Sequence, residues 1–169
     1  MRLIHWVCLA LAACSGSDSS TAEVSLEWGG EVPGRFSAPG KAVLCLQTGQ
    51  VELEAIRGDT GVAAVLFLSD SSRVAAAEYP IFLAASYPEP RPGALAGMRW
   101  FDAVQVVAWE GLRGSIEVRP ADSTLAGSFS VTMQQVNHPD TVLVTGRFSG
   151  IPLIRADSSC GAAMRRNTI

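Results

Sequence analysis

From residue 23 onward, apolar and polar positions mostly alternate with a period of two. Val24, Leu26 and Trp28 are spaced by Ser25 and Glu27, and Val51, Leu53 and Ala55 by Glu52 and Glu54. Side chains on a strand point alternately to its two faces, so both stretches predict half-buried strands. Residues 42–46, 62–68 and, apart from Gln105, 104–109 are apolar on both faces. Such runs suit central strands covered by a second sheet. Between them fall Gly29-Gly30, Pro33-Gly34, Pro39-Gly40, Thr48-Gly49, Gly58-Asp59, Pro88 to Gly93 and Asn137 to Asp140, residue types that turns require. In the C-terminal third the spacing predicts a three-strand antiparallel meander with one apolar face. Its rows are Leu112, Gly114, Ile116 and Val118; Leu125, Gly127, Phe129, Val131 and Met133; and Val142, Val144, Gly146 and Phe148. Glycine in mid-strand marks a close approach, here expected from an aromatic ring of an opposite sheet. The one expected helical turn is Ser72 to Glu78, with Ser71 or Ser72 as its cap. The fold class is therefore all-β: an antiparallel two-sheet β-sandwich of about eight to ten strands, with a partly closed β-barrel as the alternative.

The first 22 residues break this pattern. Arg2 and the free amine precede a short apolar run from Leu3 to Ala13, followed by Cys14 and the polar run Ser15-Gly16-Ser17-Asp18-Ser19-Ser20-Thr21. A charged start followed by a short apolar run is the layout of a secretory signal peptide, and the run is too short to span a bilayer. Leu11-Ala12-Ala13-Cys14 resembles the bacterial lipobox. The resemblance implies cleavage before Cys14, a diacylglycerol on its thiol and acylation of the new amine, palmitate being a typical chain. Two or three acyl chains anchor stably where one is marginal. The competing reading makes Leu3 to Ala13 a first core element and Cys14 a buried thiol, but the serine-rich run is a tether that no core element needs. The expected organisation is a signal peptide at 1–13, lipidated Cys14 with its tether at 14–22, and a single β-sandwich domain at 23–169.

Composition sharpens this picture. Of 169 residues 48% are hydrophobic and 17% charged, a composition that packs a core. Thirteen basic against sixteen acidic residues give a net charge of −3, and Lys41 is the only lysine. The basic residues are scattered, which argues against nucleic acid as a partner. Processing would also remove Cys8 and consume Cys14, leaving Cys45 and Cys160. Export implies an oxidising compartment, so a Cys45–Cys160 disulfide is expected; two separate reduced thiols are the alternative. A second resemblance rests on "GSIEVRPADSTLAGSFSVTMQQVNHPDTVLVTGRFSGIPL" with "AEYPIF" upstream. This stretch looks like β-sandwich domains of uncharacterised bacterial lipoproteins, with their "sGtF" and "vtGxF" strands. It implies a fold and an envelope location and transfers no catalytic residue.

Candidate chemistry is sparse. Asp59-Thr60-Gly61 matches the aspartic-protease triplet, but the second aspartate of that site would need another copy, and a hairpin turn explains it better. His138, the only histidine after processing, sits in Asn137-His138-Pro139-Asp140 between two strands. No GxSxG elbow or phosphate-binding glycine loop occurs, and no metal or cofactor is expected. Glu52 and Glu54 share a face that reads as solvated. Trp100-Phe101 and Trp109 read as core in preference to a sugar-stacking platform. If a surface binds a ligand, the turn Pro88 to Gly97 with Tyr87 and Trp100 is the candidate. The expectation is a non-enzymatic, lipid-anchored protein of the bacterial envelope, at the outer membrane because Ser15 follows the cysteine. A small-ligand or glycan-binding module and a carboxylate hydrolase are the alternatives.

Overall fold

The computed structural model describes residues 22–30, 33–84, 86, 90–101 and 104–157. Among these lie nine strands: β1 (Glu23–Trp28), β2 (Gly34–Cys45), β3 (Gln50–Arg57), β4 (Thr60–Phe67), β5 (Ala77–Pro80), β6 (Gly93–Phe101), β7 (Val106–Ala121), β8 (Thr124–Gln135) and β9 (Thr141–Ala156). The fold is all-β. Apart from β5, each strand pairs antiparallel with the next, and β9 returns to pair with β1. The sheet therefore closes into an eight-stranded barrel, not the two-sheet sandwich expected first. Closure removes the free edges that a sandwich must protect.

Two short strands act as wedges at opposite ends. β1 separates β2 from β9 along residues 34–39 and 144–149. Beyond its start, Ala42 to Cys45 pair directly, in parallel, with Leu153 to Ala156. β5 pairs through Ala77–Pro80 with Val118–Ser115 of β7, while β6 pairs with the earlier part of β7. Ile81 N donates to Gly114 O at 2.9 Å and Phe82 N to Ala94 O at 3.0 Å, so β5 fills the gap where β6 and β7 diverge.

The segment expected to be a helical turn enters β5 instead. Asp70 Oδ1 accepts from the backbone N (2.9 Å) and hydroxyl (2.7 Å) of Ser72, which holds a turn. The chain then extends so that Tyr79, 2% exposed, reaches the core. Sheet pairing and burial of one large side chain outweigh the helical preference of three alanines.

The core is the barrel interior. One row from each strand faces in, including Val24 and Leu26; Phe36, Ala38, Ala42 and Leu44; Val51, Leu53 and Ala55; Val131 and Met133; and Val142, Val144 and Phe148, all buried. The C-terminal meander follows the expected rows with one correction. A bulge between Gly111 and Arg113 takes Leu112 out of the inward row, so Gly111 is buried before it and Ile116 after it, while Gly114, expected in the row, is exposed. The rings over the glycines come from neighbouring strands, not from an opposite sheet. Gly127 lies opposite Phe148 and Gly146 opposite Phe129. A Cβ on Gly127 would lie 2.5 Å from Phe148 Cζ, and one on Gly146 2.4 Å from Phe129 Cζ.

The runs apolar on both faces have other causes than a covering sheet. Outward Val65 and Phe67 are each 4% exposed, and Phe67 lies beneath the β4–β6 connection. Phe82 packs on Phe67 with ring centroids 5.2 Å apart, and the Arg91 guanidinium lies 5.6 Å from the Phe67 centroid. Arg91 also donates to the carbonyls of Thr48, Gly49 and Leu68 at 3.0–3.1 Å, clamping that connection to the β2–β3 turn. The third run is not covered: Val104 is 90% exposed and Val106 51%.

Strand alternation sorts the connections into two ends. At one, the base, are the β2–β3 turn, the β4–β6 connection and the β7–β8 turn. The C-terminal end of the described chain is there too: Leu46 N donates to Ala156 O at 3.3 Å and Leu153 N to Ser123 O at 2.8 Å, while Ala22 O accepts from Gly40 N at 3.2 Å partway along β2, on the side of β1 away from the mouth. At the other, the mouth, are the β1–β2, β3–β4, β6–β7 and β8–β9 connections. There Phe101 N donates to Asp59 O at 3.2 Å and Val136 N to Ala108 O at 2.8 Å.

Candidate functional site

Three inward rows end in tryptophan at the mouth. Trp28 is the last residue of β1, Trp100 the penultimate residue of β6, and Trp109 lies near the start of β7. β1 and β6 are on opposite walls, yet Trp28 and Trp100 stack with centroids 5.7 Å apart and planes 14° from parallel. Trp100 also stacks on Trp109, at 6.0 Å and 25°. The result is a row of indoles across the mouth, in the offset geometry that the quadrupoles of aromatic rings favour. Gly34, the cross-strand partner of Trp28, seats the first ring: a Cβ there would lie 2.1 Å from Trp28 Cζ2. Trp109 Nε1 is buried and donates to no acceptor, which leaves a desolvated donor unsatisfied.

Below this roof the barrel retains an apolar cavity of about 40 Å³, lined by residues that include Ala55, Ala64, Ala96, Gly97, Phe129 and Met133. It has room for a water molecule but not for a ring. Around the roof stands an apolar rim. Ile56, Phe101, Val104, Val106, Val136 and Leu143 are all large, exposed and at the mouth, whereas among the described residues only Leu83 and Ile154 of the exposed large hydrophobics lie toward the base. Outside Trp28, a groove of about 520 Å³ collects Glu27, Arg35 and Thr145 beside the indole. It continues into a wider polar face of about 800 Å³ with Ser25, Ser37, Arg57 and Arg147, where Arg57 Nη1 donates to Ser37 O at 3.1 Å.

The structure redistributes the sequence candidates. Trp100 is half-buried in the roof at the mouth, whereas Pro90 to Pro92 lie at the base, the length of β6 away. Phe101, expected in the core, is 54% exposed on the rim. Tyr87, Cys14 and Cys160 lie outside the described residues. Cys45, 2% exposed, ends β2 at the base and pairs with Ala156. Asp59 follows Gly58 in the β3–β4 turn, the hairpin expected for that triplet. His138 lies in the β8–β9 connection, with Nδ1 3.0 Å from Asp140 Oδ2. Glu54 faces outward and pairs with Lys41 at 3.0 Å, on the solvated face expected for it and Glu52.

Electrostatics add little chemistry. Ser72 hydrogen bonds hold the fully exposed Asp70 carboxyl below its ordinary value, and burial raises the Tyr79 phenol. Neither group is at the mouth. Among the described residues no three metal-ligating side chains converge, and no helix is long and apolar enough to cross a membrane. The arrangement can stack, desolvate and donate one hydrogen bond. Sequence reasoning found the tryptophans but not their meeting, because closure of the sheet brings β1 and β6 face to face. The available signal was positional: each tryptophan stands on an inward row at the same end of its strand. No protein family, curated protein or solved structure matches the chain.

Proposed function

We propose that this protein is a lipid-anchored component of the bacterial envelope whose barrel is a non-enzymatic binding module. The observation that carries the reading is polarity of the fold: Ala22, where the tether would begin, is at the end of β1 away from the mouth, level with Gly40 of β2, and the tryptophan roof with its apolar rim is at the mouth. A tether from lipidated Cys14 would span at most about 30 Å and join the barrel on the side away from the mouth, leaving the mouth free. The outer membrane is the proposed site. The groove with Glu27, Arg35 and Thr145 beside Trp28 favours small-ligand binding over a purely structural role, because a few convergent polar groups beside an aromatic are what such sites need.

We also propose the Cys45–Cys160 bridge. Cys45 is 2% exposed at the last position of β2. Its register partner Ala156 is only four residues before Cys160, a separation the chain can double back within.

Membrane fractionation of wild type and Cys14→Ser tests the anchor. The wild type is expected in the membrane fraction and the variant in the soluble fraction of the envelope. Unchanged membrane association of Cys14→Ser refutes the lipid anchor.

A further inference from the structure

We propose that the tryptophan-roofed end of the barrel binds one small, flat, largely apolar molecule that carries a carbonyl-type acceptor, with Trp109 Nε1 as its hydrogen-bond donor and Trp28 as the gate. The proposal deepens the binding-module reading and rests on it.

Three independent features point to this ligand chemistry. The indoles of Trp28, Trp100 and Trp109 form a near-parallel row, and such a row accepts another flat ring on the same terms. Trp109 Nε1 is a desolvated donor with nothing to donate to, so a bound acceptor would remove a cost the ligand-free protein carries. The space below is apolar throughout, with small side chains at Ala55, Ala64 and Ala96 where larger ones would fill the barrel. A sugar suits the row poorly, since Trp100 already stacks on two indoles.

The cavity of about 40 Å³ has no room for a ring, so a ring that joins the row must take the place of an indole. One of them must yield, and Trp28 is the one at a strand end, followed directly by Gly29 and Gly30. The exposed side chains of Phe101, Val104 and Val106 flank the opening and give an apolar molecule a first foothold. A site that opens only when Trp28 moves binds more weakly than its intrinsic affinity by the fraction of time it is open.

The test uses the mature barrel and two probes. The first is 6-propionyl-2-dimethylaminonaphthalene, a flat fluorophore with a ketone; the second is 2-dimethylaminonaphthalene, the same ring system without it. The ketone probe is expected to bind at one per chain, with blue-shifted emission and quenched tryptophan fluorescence, about tenfold more tightly than the second probe. Trp109→Phe should bring the two probes level, and Trp28→Ala should tighten both. The wild-type comparison of the two probes needs no variant and so stands even if one fails to fold. Absence of saturable binding, equal affinity of the two probes for wild type, or weakening by Trp28→Ala would each overturn the proposal. So would ketone-probe binding that Val104→Ser with Val106→Ser abolishes and Trp109→Phe leaves unchanged, since the probe would then sit on the rim. The anchor is tested separately, so a failure here leaves the envelope location standing or falling on its own.

Discussion

Trp28 and Trp100 stack at 5.7 Å from strands on opposite walls of the barrel. No pair of neighbouring strands brings them together; only closure of the sheet does. The contact therefore reports at once on the ring of strands and on the state of the mouth.

Gly34→Ala should break that contact without unfolding the protein. The new methyl would collide with Trp28 Cζ2, the far end of a side chain that can swing away. A stability loss of about 1 kcal/mol is expected, the lower end of overpacking costs. Circular dichroism should lose the coupled signal of the stacked indoles while the cooperative melt remains.

Gly127→Ala should be more damaging. There a Cβ would lie 2.0 Å from the backbone oxygen of Glu117 as well as 2.5 Å from Phe148 Cζ, and a backbone carbonyl in a sheet cannot step aside. The expected loss is about 3 kcal/mol. Gly29→Ala is the control, because nothing lies within 4 Å of the position its Cβ would take. Urea unfolding of the pair measures the difference.

If Cys45 is bridged to Cys160, the bond closes a loop of more than a hundred residues. Opening it should lower stability by about 4 kcal/mol, mostly through the entropy of the unfolded chain. Urea melts with and without reductant, repeated on Cys45→Ala, check this. Identical melts for wild type under both conditions would mean that no such bridge forms.

Burial raises the Tyr79 phenol above its ordinary value of 10.0. The folded protein therefore holds that proton at a pH where the unfolded chain has lost it. Its contribution to stability is complete below pH 10 and declines as the pH rises from there through the folded value. Tyr79→Phe should flatten the alkaline limb of the stability profile, measured by denaturant unfolding across that range.

Much of the strand content was legible in the residues, for local reasons. The alternation in Val24, Leu26 and Trp28 and in Val51, Leu53 and Ala55 gave both the strands and their inward faces, since period two is a property of one strand alone. The turns at Gly58-Asp59 and at Asn137–Asp140 were legible for the same reason. Whether the sheet closes depends on β9 meeting β1, a pairing more than a hundred residues apart that no local pattern encodes. Phe67 misled because its outer cover is the connection pinned by Arg91, and Val106 because it is half exposed. The bulge beside Leu112 shifted a face by one residue without any change in hydrophobic pattern. The segment from Ser72 to Glu78 has helical propensity, but Tyr79 is needed in the core and pulls the chain into β5. The mouth was the least legible feature, because its three tryptophans are 72 and 9 residues apart and meet only across the closed ring.

The intact mass of the protein extracted from cell envelopes tests the central claim, a barrel tethered through its N-terminal segment by a lipidated cysteine, most directly. The expected product lacks residues 1–13, begins at Cys14 and is heavier than that polypeptide by a diacylglycerol and an amide-linked acyl chain. A chain that retains residues 1–13, or one that begins elsewhere and carries no lipid, would contradict it.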